Sequence, residues 1–139
     1  MRITQEADYA LRIILYLSKT DKRVDAGTIA ADTAVSPRFA TKILRKLMLA
    51  GLVRSYKGVT GGYALARPAE DITLLDVITV IDGEIRINRC IGTREICSRL
   101  SSSGEKNCSV HEVLCDVNDY IVKRFSKINF GNIDTLCGL

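Results

Sequence analysis

The sequence predicts a mainly α-helical fold with a small β wing: a winged helix-turn-helix domain followed by a long C-terminal dimerisation helix. Three observations carry this expectation. Two helical stretches meet at the short break "VSPRF", the spacing of a helix-turn-helix. After Gly51 the apolar period changes from helical to alternating, around a glycine-bearing loop. From Cys108 onward an apolar seam recurs at helical spacing over about five turns.

Thr4 is placed to cap a first helix, with Glu6 and Asp8 near its positive end. Ala7, Ala10, Leu11, Ile14 and Leu17 then recur on one face, and the helix is expected to run to about Lys19. Asp25 caps the next helix, "AGTIAADTA", with Ile29, Ala30 and Ala34 inward. Ser36 caps the third, and Pro37 fits its first position, where a missing N–H costs nothing. That helix, "PRFATKILRKLMLA", stops at Gly51. Phe39, Ile43 and Leu47 point inward, flanked by Ala40, Leu44 and Ala50. "LVRSY" and "YALAR" read as strands joined by the loop "KGVTGG", and Pro68 closes the unit.

In "ITLLDVITVIDG", Thr73 caps a fourth helix, Asp76 completes a capping box and Gly83 ends it. Its apolar face is Leu74, Val77, Ile78 and Ile81. Residues 84–107 hold no sustained period. The final seam is Val110, Val113, Leu114, Val117, Ile121, Phe125 and Ile128. It exceeds what a small globule covers by itself, so a homodimer through the 108–130 helix is expected. The expected organisation is a winged helix-turn-helix domain over 1–83, a cysteine-rich loop over 84–107, the dimerisation helix over 108–130 and a tail over 131–139.

At 139 residues and 47% apolar content, the chain is able to fold around its own core. No apolar run is long enough to span a bilayer, so no membrane partner is expected. "MRITQEADYALRIILYLSKTD" holds an apolar stretch, but Glu6 and Asp8 precede it and no small-residue cleavage site follows. The expected location is therefore the cytoplasm. No phosphate loop or nucleophile–base pair is present, so neither an enzyme activity nor a small-molecule substrate is expected.

The net charge of +4 is unevenly placed. Residues 1–70 carry twelve Lys and Arg against six Asp and Glu, and residues 71–139 carry eight against ten. The first half is thus the one suited to a polyanion. Arg38, Thr41, Lys42 and Arg45 fall at i, i+3, i+4 and i+7, one outward stripe of the third helix. An isolated basic stripe is usually a solvated face. This one lies on the second helix of a helix-turn-helix, just after its N-cap, where base contacts are made. In the wing, Lys57 is expected at the tip, with Arg54 and Tyr56 before it, to reach the minor groove or phosphates. Candidate contacts to double-stranded DNA are thus Ser36, Arg38, Thr41, Lys42, Arg45, Arg54, Tyr56 and Lys57.

The segment "RCIGTREICSRLSSSGEKNCSVHEVLCD", residues 89–116, gathers four of five cysteines and the only histidine. Clustered thiols in a cytosolic chain point more often to metal or redox chemistry than to disulfides. The spacing is Cys90-x6-Cys97-x10-Cys108-x2-His111, and Cys108 and His111 are expected to project from one helix face. Three thiolates and one imidazole suit Zn²⁺ or an iron–sulfur cluster, and the pattern does not choose between them. Cys115, seven residues beyond Cys108 and near the same helix face, is read first as core packing and second as a spare ligand, and Cys137 has no functional reading.

On "MRITQEADYALRIILYL", "VSPRFATKILRKLMLAGLVRSYKGVTGGYALA" and three cysteines before a long helix, the chain resembles the Rrf2 family of transcriptional regulators, from Met1 to about residue 133. The resemblance implies a homodimer that binds palindromic promoter DNA. It implies that Cys90, Cys97 and Cys108 hold an iron–sulfur cluster. In the IscR-like branch the fourth ligand is the histidine of Cys-x2-His, matched by His111, and the cluster is 2Fe-2S. The NsrR-like branch can use an acidic residue near the N-terminus of the partner subunit on a 4Fe-4S cluster, and Asp8 sits at that position. His111 is preferred because it needs no second chain. The implied function is a repressor or dual regulator that senses cluster status and controls promoters of cluster-biogenesis genes. The alternatives are a nitric-oxide or redox sensor using Asp8, and a cysteine-metabolism or zinc-bound regulator of the same fold. Two features depart from the family: the wide interval between Cys97 and Cys108, and Lys57 where many members have arginine.

Overall fold

The computed structural model describes residues 2–92 and 108–136. Among these, five α-helices and one two-stranded sheet follow in the order α1 (Gln5–Ser18), α2 (Ala26–Asp32), α3 (Pro37–Leu49), β1 (Val53–Tyr56), β2 (Gly62–Leu65), α4 (Leu74–Asp82) and α5 (Ser109–Lys127). The architecture is mainly helical with a small β wing.

α1 starts at Thr4, whose Oγ1 accepts from the Ala7 N–H at 3.2 Å. Ala7, Ala10, Ile13, Ile14 and Leu17 are buried, while Leu11 is only half-buried. Ile13 joins the core because α1 is covered by α3 and α4 together, which widens the buried face beyond a single stripe. α2 begins at Asp25, which accepts from both the N–H and the hydroxyl of Thr28. It ends sooner than expected. Ala34 is not inward: it is exposed and left-handed, at φ 55°. The Val35 N–H returns to Ala30 O at 2.9 Å and the Ala34 N–H to Ala31 O at 3.2 Å. These two bonds close the helix end as a Schellman motif and turn Val35 into the core.

α3 repeats the device with the expected residue. Gly51 takes φ 72°, and Leu52 N–H reaches Leu47 O at 2.9 Å. Ala40, Ile43, Leu44 and Leu47 are buried. Phe39 is half-buried, edge-on to Tyr9 at 5.8 Å, and Ala50 is exposed at the C-cap. β1 and β2 pair antiparallel, from Val53 opposite Leu65 to Tyr56 opposite Gly62. Val24 adds a further rung, exchanging both backbone bonds with Tyr63 at 3.0 and 2.8 Å. Gly62 is required there: at φ 141°, a Cβ would lie 2.7 Å from Val24 O.

α4 carries the expected capping box, with Thr73 N–H donating to Asp76 Oδ2 at 2.9 Å and Asp76 N–H to Thr73 Oγ1 at 3.1 Å. Val77 and Ile78 are buried, while Leu74 and Ile81 are half-buried. At its other end Asp82 accepts from the N–H and hydroxyl of Thr4, which ties the start of α1 to the end of α4.

α5 packs on α4 through one face only. Its expected seam divides. Leu114, Ile121 and Phe125 are half-buried, whereas Val110, Val113 and Val117 are exposed beside Tyr120. The helix ends at Lys127, and the chain then returns to the start of α4. Leu74 N–H donates to Ile128 O, Phe130 N–H donates to Ile72 O, and Phe130 enters the core. Residues 133–136 form a 3-10 turn, and Asp134 pairs with Lys19 at 3.0 Å. Among the described residues no helix is long and apolar enough to cross a membrane.

Candidate functional site

Two regions concern function. The first is the outer face of α3 with the wing. Arg38, Thr41, Lys42 and Arg45 are all exposed, as their spacing predicts. They are not equivalent. Thr41 donates its hydroxyl back to Pro37 O at 2.9 Å. Lys42 Nζ lies 3.2 Å from Glu6 Oε2 and over the Phe39 ring at 5.4 Å. Lys46, one turn on and half-buried, reaches Glu6 Oε1 at 2.6 Å. The hydrogen bond from Lys46, and then that from Lys42, hold the Glu6 carboxyl below its ordinary range against the opposing effect of burial. Among the described residues Arg38 and Arg45 make no ion pair.

Ser36 spends its hydroxyl on the N-cap, accepting from Phe39 N–H at 3.4 Å. In the wing Arg54 and Lys57 are exposed. The tip is not Lys57, which directly follows β1. The tip is Val59, held out completely by the turn that Gly61 N–H closes onto Gly58 O. Tyr56 is half-buried because the Arg23 guanidinium lies over its ring, 3.7 Å from the centroid. Arg23 thus adds a cation beside the wing that motif reading along the two strands does not find.

The second region joins the segment before residue 93 to α5. His111, Cys115 and Asn118 fall at i, i+4 and i+7 on one helix face. Asn118 is buried, and its Oδ1 accepts from Ile87 N–H at 3.1 Å, which holds residues 84–92 on that face. Cys90 is thereby placed with its Sγ 3.3 Å from His111 Nδ1. Cys115 Sγ is 3.4 Å from His111 Nε2 and 3.9 Å from Nδ1. All three are half-buried.

This arrangement differs from the expected one in several places. Cys108 is the N-cap residue of α5, with φ −132° and ψ 110°, so helical spacing does not carry its side chain onto the face of His111. Cys115 does not pack in the core but lies against the imidazole. Cys97 and Cys137 lie outside the described residues. Asp8 pairs with Arg12 at 2.6 Å on its own helix. The role of Asn118 has no sign in the sequence beyond its place two turns past His111.

Among the described residues no group of three His, Cys, Asp or Glu side chains is arranged to hold a metal ion by itself. The donor chemistry does fit a thiolate-bound centre, since sulfur and imidazole nitrogen are the ligands of zinc and iron–sulfur sites, and Cys90 and His111 already face each other.

The sequence matches Rrf2, described as an iron-dependent transcriptional regulator, over residues 3–133. It is 35% identical over 115 residues to Protein aau3 of Rhizobium meliloti, covering 82% of this chain and 75% of that one. It is 30% identical over 131 residues to the HTH-type transcriptional regulator IscR of Photorhabdus laumondii, covering 93% and 76%. Among solved structures, CymR, the global cysteine regulator of B. subtilis, superposes with a TM-score of 0.80 at 22% identity, covering 98% of each chain. T. potens IscR does so with a TM-score of 0.76 at 21% identity, covering 99% of this chain and 88% of that one. At those identities the two structures speak for the winged helix-turn-helix fold alone. With a family match that spans nearly all of its length, the chain belongs to the Rrf2 family of transcriptional regulators.

Proposed function

We propose that the protein is a cytoplasmic, homodimeric promoter-binding regulator that senses iron–sulfur cluster status. Its ligands are Cys90, Cys97, Cys108 and His111, and a 2Fe-2S cluster is the preferred cofactor. The observation that carries this reading is the meeting of His111 Nδ1 and Cys90 Sγ at 3.3 Å. A thiol and an imidazole from two different segments, placed together and half-buried, are donors ready to share one centre.

When bound, the cluster supplies a tie that iron supply, oxidants or nitric oxide can undo. The chain's own residues do the rest. Cys90 and His111 draw residues 84–92 onto the start of the 108–130 helix. The outward stripe of Val110, Val113, Val117 and Tyr120 meets the same stripe of a second copy. That pairing sets the separation of the two α3 helices, and so the half-site spacing they accept. Arg38, Lys42 and Arg45 donate to base edges or phosphates, Thr41 meets a base, and Arg54 and Lys57 bind the flanking backbone.

Anaerobic purification with iron and sulfide counts and an absorption spectrum tests the reading, run on wild type, His111→Ala and Asp8→Ala. Coloured wild-type protein and loss of the cluster in His111→Ala alone are expected. Loss in Asp8→Ala alone would move the fourth ligand to the partner subunit and favour 4Fe-4S. A colourless, zinc-loaded wild type would overturn the iron–sulfur reading.

A further inference from the structure

The turn between α1 and α2 is joined to the wing. Val24 exchanges both backbone hydrogen bonds with Tyr63, at 3.0 and 2.8 Å, as an antiparallel bridge. That register sets Arg23 beside Ala64 and Asp25 beside Gly62. β1 continues the two rows, with Arg54 opposite Ala64 and Tyr56 opposite Gly62. Val24 is buried, and side chains alternate across a sheet, so Arg23, Arg54 and Tyr56 share the outer face. β2 offers only Gly62 and Ala64 on that face, and the Arg23 side chain crosses it to lie over the Tyr56 ring, 3.7 Å from the centroid. Its charge therefore stands on β1, between Arg54 and Lys57.

The stack engages the flat face of the guanidinium and leaves its N–H edge free to bind. Among the described residues that edge makes no ion pair and no hydrogen bond. Two acids are near: Asp21 and Asp25 line the recess between this turn and Val59 of the wing tip. Asp25 is taken up by the N–H and hydroxyl of Thr28, and neither acid pairs with Arg23. The ring also holds the side chain in place, so less rotamer freedom is lost when an anion binds. Arg54, Arg23 and Lys57 are all exposed. Three cations in a row, with a planar donor fixed in the middle, suit an anion that repeats, the phosphodiester backbone of a duplex.

We propose that Arg23 is a further DNA contact: stacked on Tyr56, its guanidinium binds a backbone phosphate beside the wing, between those met by Arg54 and Lys57. Tyr56 is the residue that positions it. The proposal rests on the promoter-binding reading above and is independent of the cluster.

Full-length protein is titrated by anisotropy with a labelled duplex of arbitrary sequence across a salt series, and thermal unfolding is followed alongside. Arg23→Gln is expected to lower the slope of log K against log salt by about 0.9 per bound protomer, so that the affinity lost between about 50 and 200 mM salt shrinks by roughly threefold. Lys123→Gln, which removes an equal charge from α5 outside the pairing stripe, is expected to leave the slope unchanged. Tyr56→Leu removes the ring and keeps the cation; binding is expected to weaken several-fold at an unaltered slope, with Tyr56→Phe restoring it. An Arg23→Gln protein with the wild-type slope and a lowered Tm would make Arg23 a brace of the wing and overturn the proposal. So would an equal fall of slope in Lys123→Gln, and a Tyr56→Leu protein of wild-type affinity would remove the positioning role. A wild type that binds no duplex at any salt would strike the DNA-binding reading itself, a result distinct from these.

Discussion

Glu6→Gln separates two jobs that one carboxylate performs. Glu6 is only 19% exposed and grips Lys46 at 2.6 Å and Lys42 at 3.2 Å. Partly exposed ion pairs of this kind are worth about 0.2–1 kcal/mol each, so the substitution should cost roughly 0.5–2 kcal/mol of stability. The same change releases Lys42, whose side chain is 55% exposed on the face that carries Arg38 and Arg45. One added phosphate contact steepens the dependence of log K on log salt by about 0.9. A gain of about 0.5–1 kcal/mol at low salt is a two- to fivefold rise in affinity. The assay needs no known operator, because non-specific binding is set by charge: a labelled duplex of arbitrary sequence is titrated by anisotropy across a salt series. The stability cost has a pH signature. Glu6 is held below its ordinary range, so its contribution is complete above that range and is lost as pH falls through the lowered value. Wild type and Glu6→Gln should therefore converge in acid. A Glu6→Gln protein that binds with unchanged slope and affinity would refute the idea that Glu6 restrains Lys42.

Three further outcomes follow from the packing. Asn118→Leu leaves the Ile87 N–H without its acceptor and should cost about 1–3 kcal/mol in urea unfolding, with poorer cluster retention; an unchanged midpoint would show that residues 84–92 are held otherwise. Ala34→Gly relieves left-handed backbone worth about 1–2 kcal/mol while adding chain entropy, so its net effect should lie near zero or be slightly stabilising. Ala31→Gly, inside α2, should lose about 1 kcal/mol, and equal losses at the two sites would contradict the φ argument. Val113→Glu puts a charge in the outward stripe of α5 and should shift sedimentation towards monomer; an unaltered mass would retire that stripe as the pairing surface.

What could be read along the chain was what acts locally. Thr4, Asp25, Ser36 and Thr73 each cap the helix they announce, because a cap is made within three residues of itself. Gly51 announced the end of α3, but Ala34 makes the same turn with a residue that carries no such sign. The Val24 rung on the wing is a single residue and leaves no alternation to detect. Glu6 read as a partner of the helix dipole, and only folding shows that it serves α3, forty residues on, through Lys46. At the thiol–imidazole site the residue types were visible, but their geometry was not. Cys108 falls just outside the helix, where the three-residue spacing loses its meaning. Asn118 leaves no mark in the sequence because an apolar seam is built of apolar residues, and its value lies in the one backbone N–H it satisfies.

The anchoring of α5 has a mechanical consequence. Its C-terminal end is bonded to the start of α4 through Ile128 and Asn129 and sealed by Phe130 in the core. Its 19 residues make a rod about 28 Å long. Clamped at that end, the rod need tilt by only about 5° to carry its free end through about 2.5 Å. His111 and Val110 both ride near the free end, on different faces. A force applied to the imidazole thus displaces the outward valines in the same stroke, while Phe130, at the fulcrum, scarcely moves.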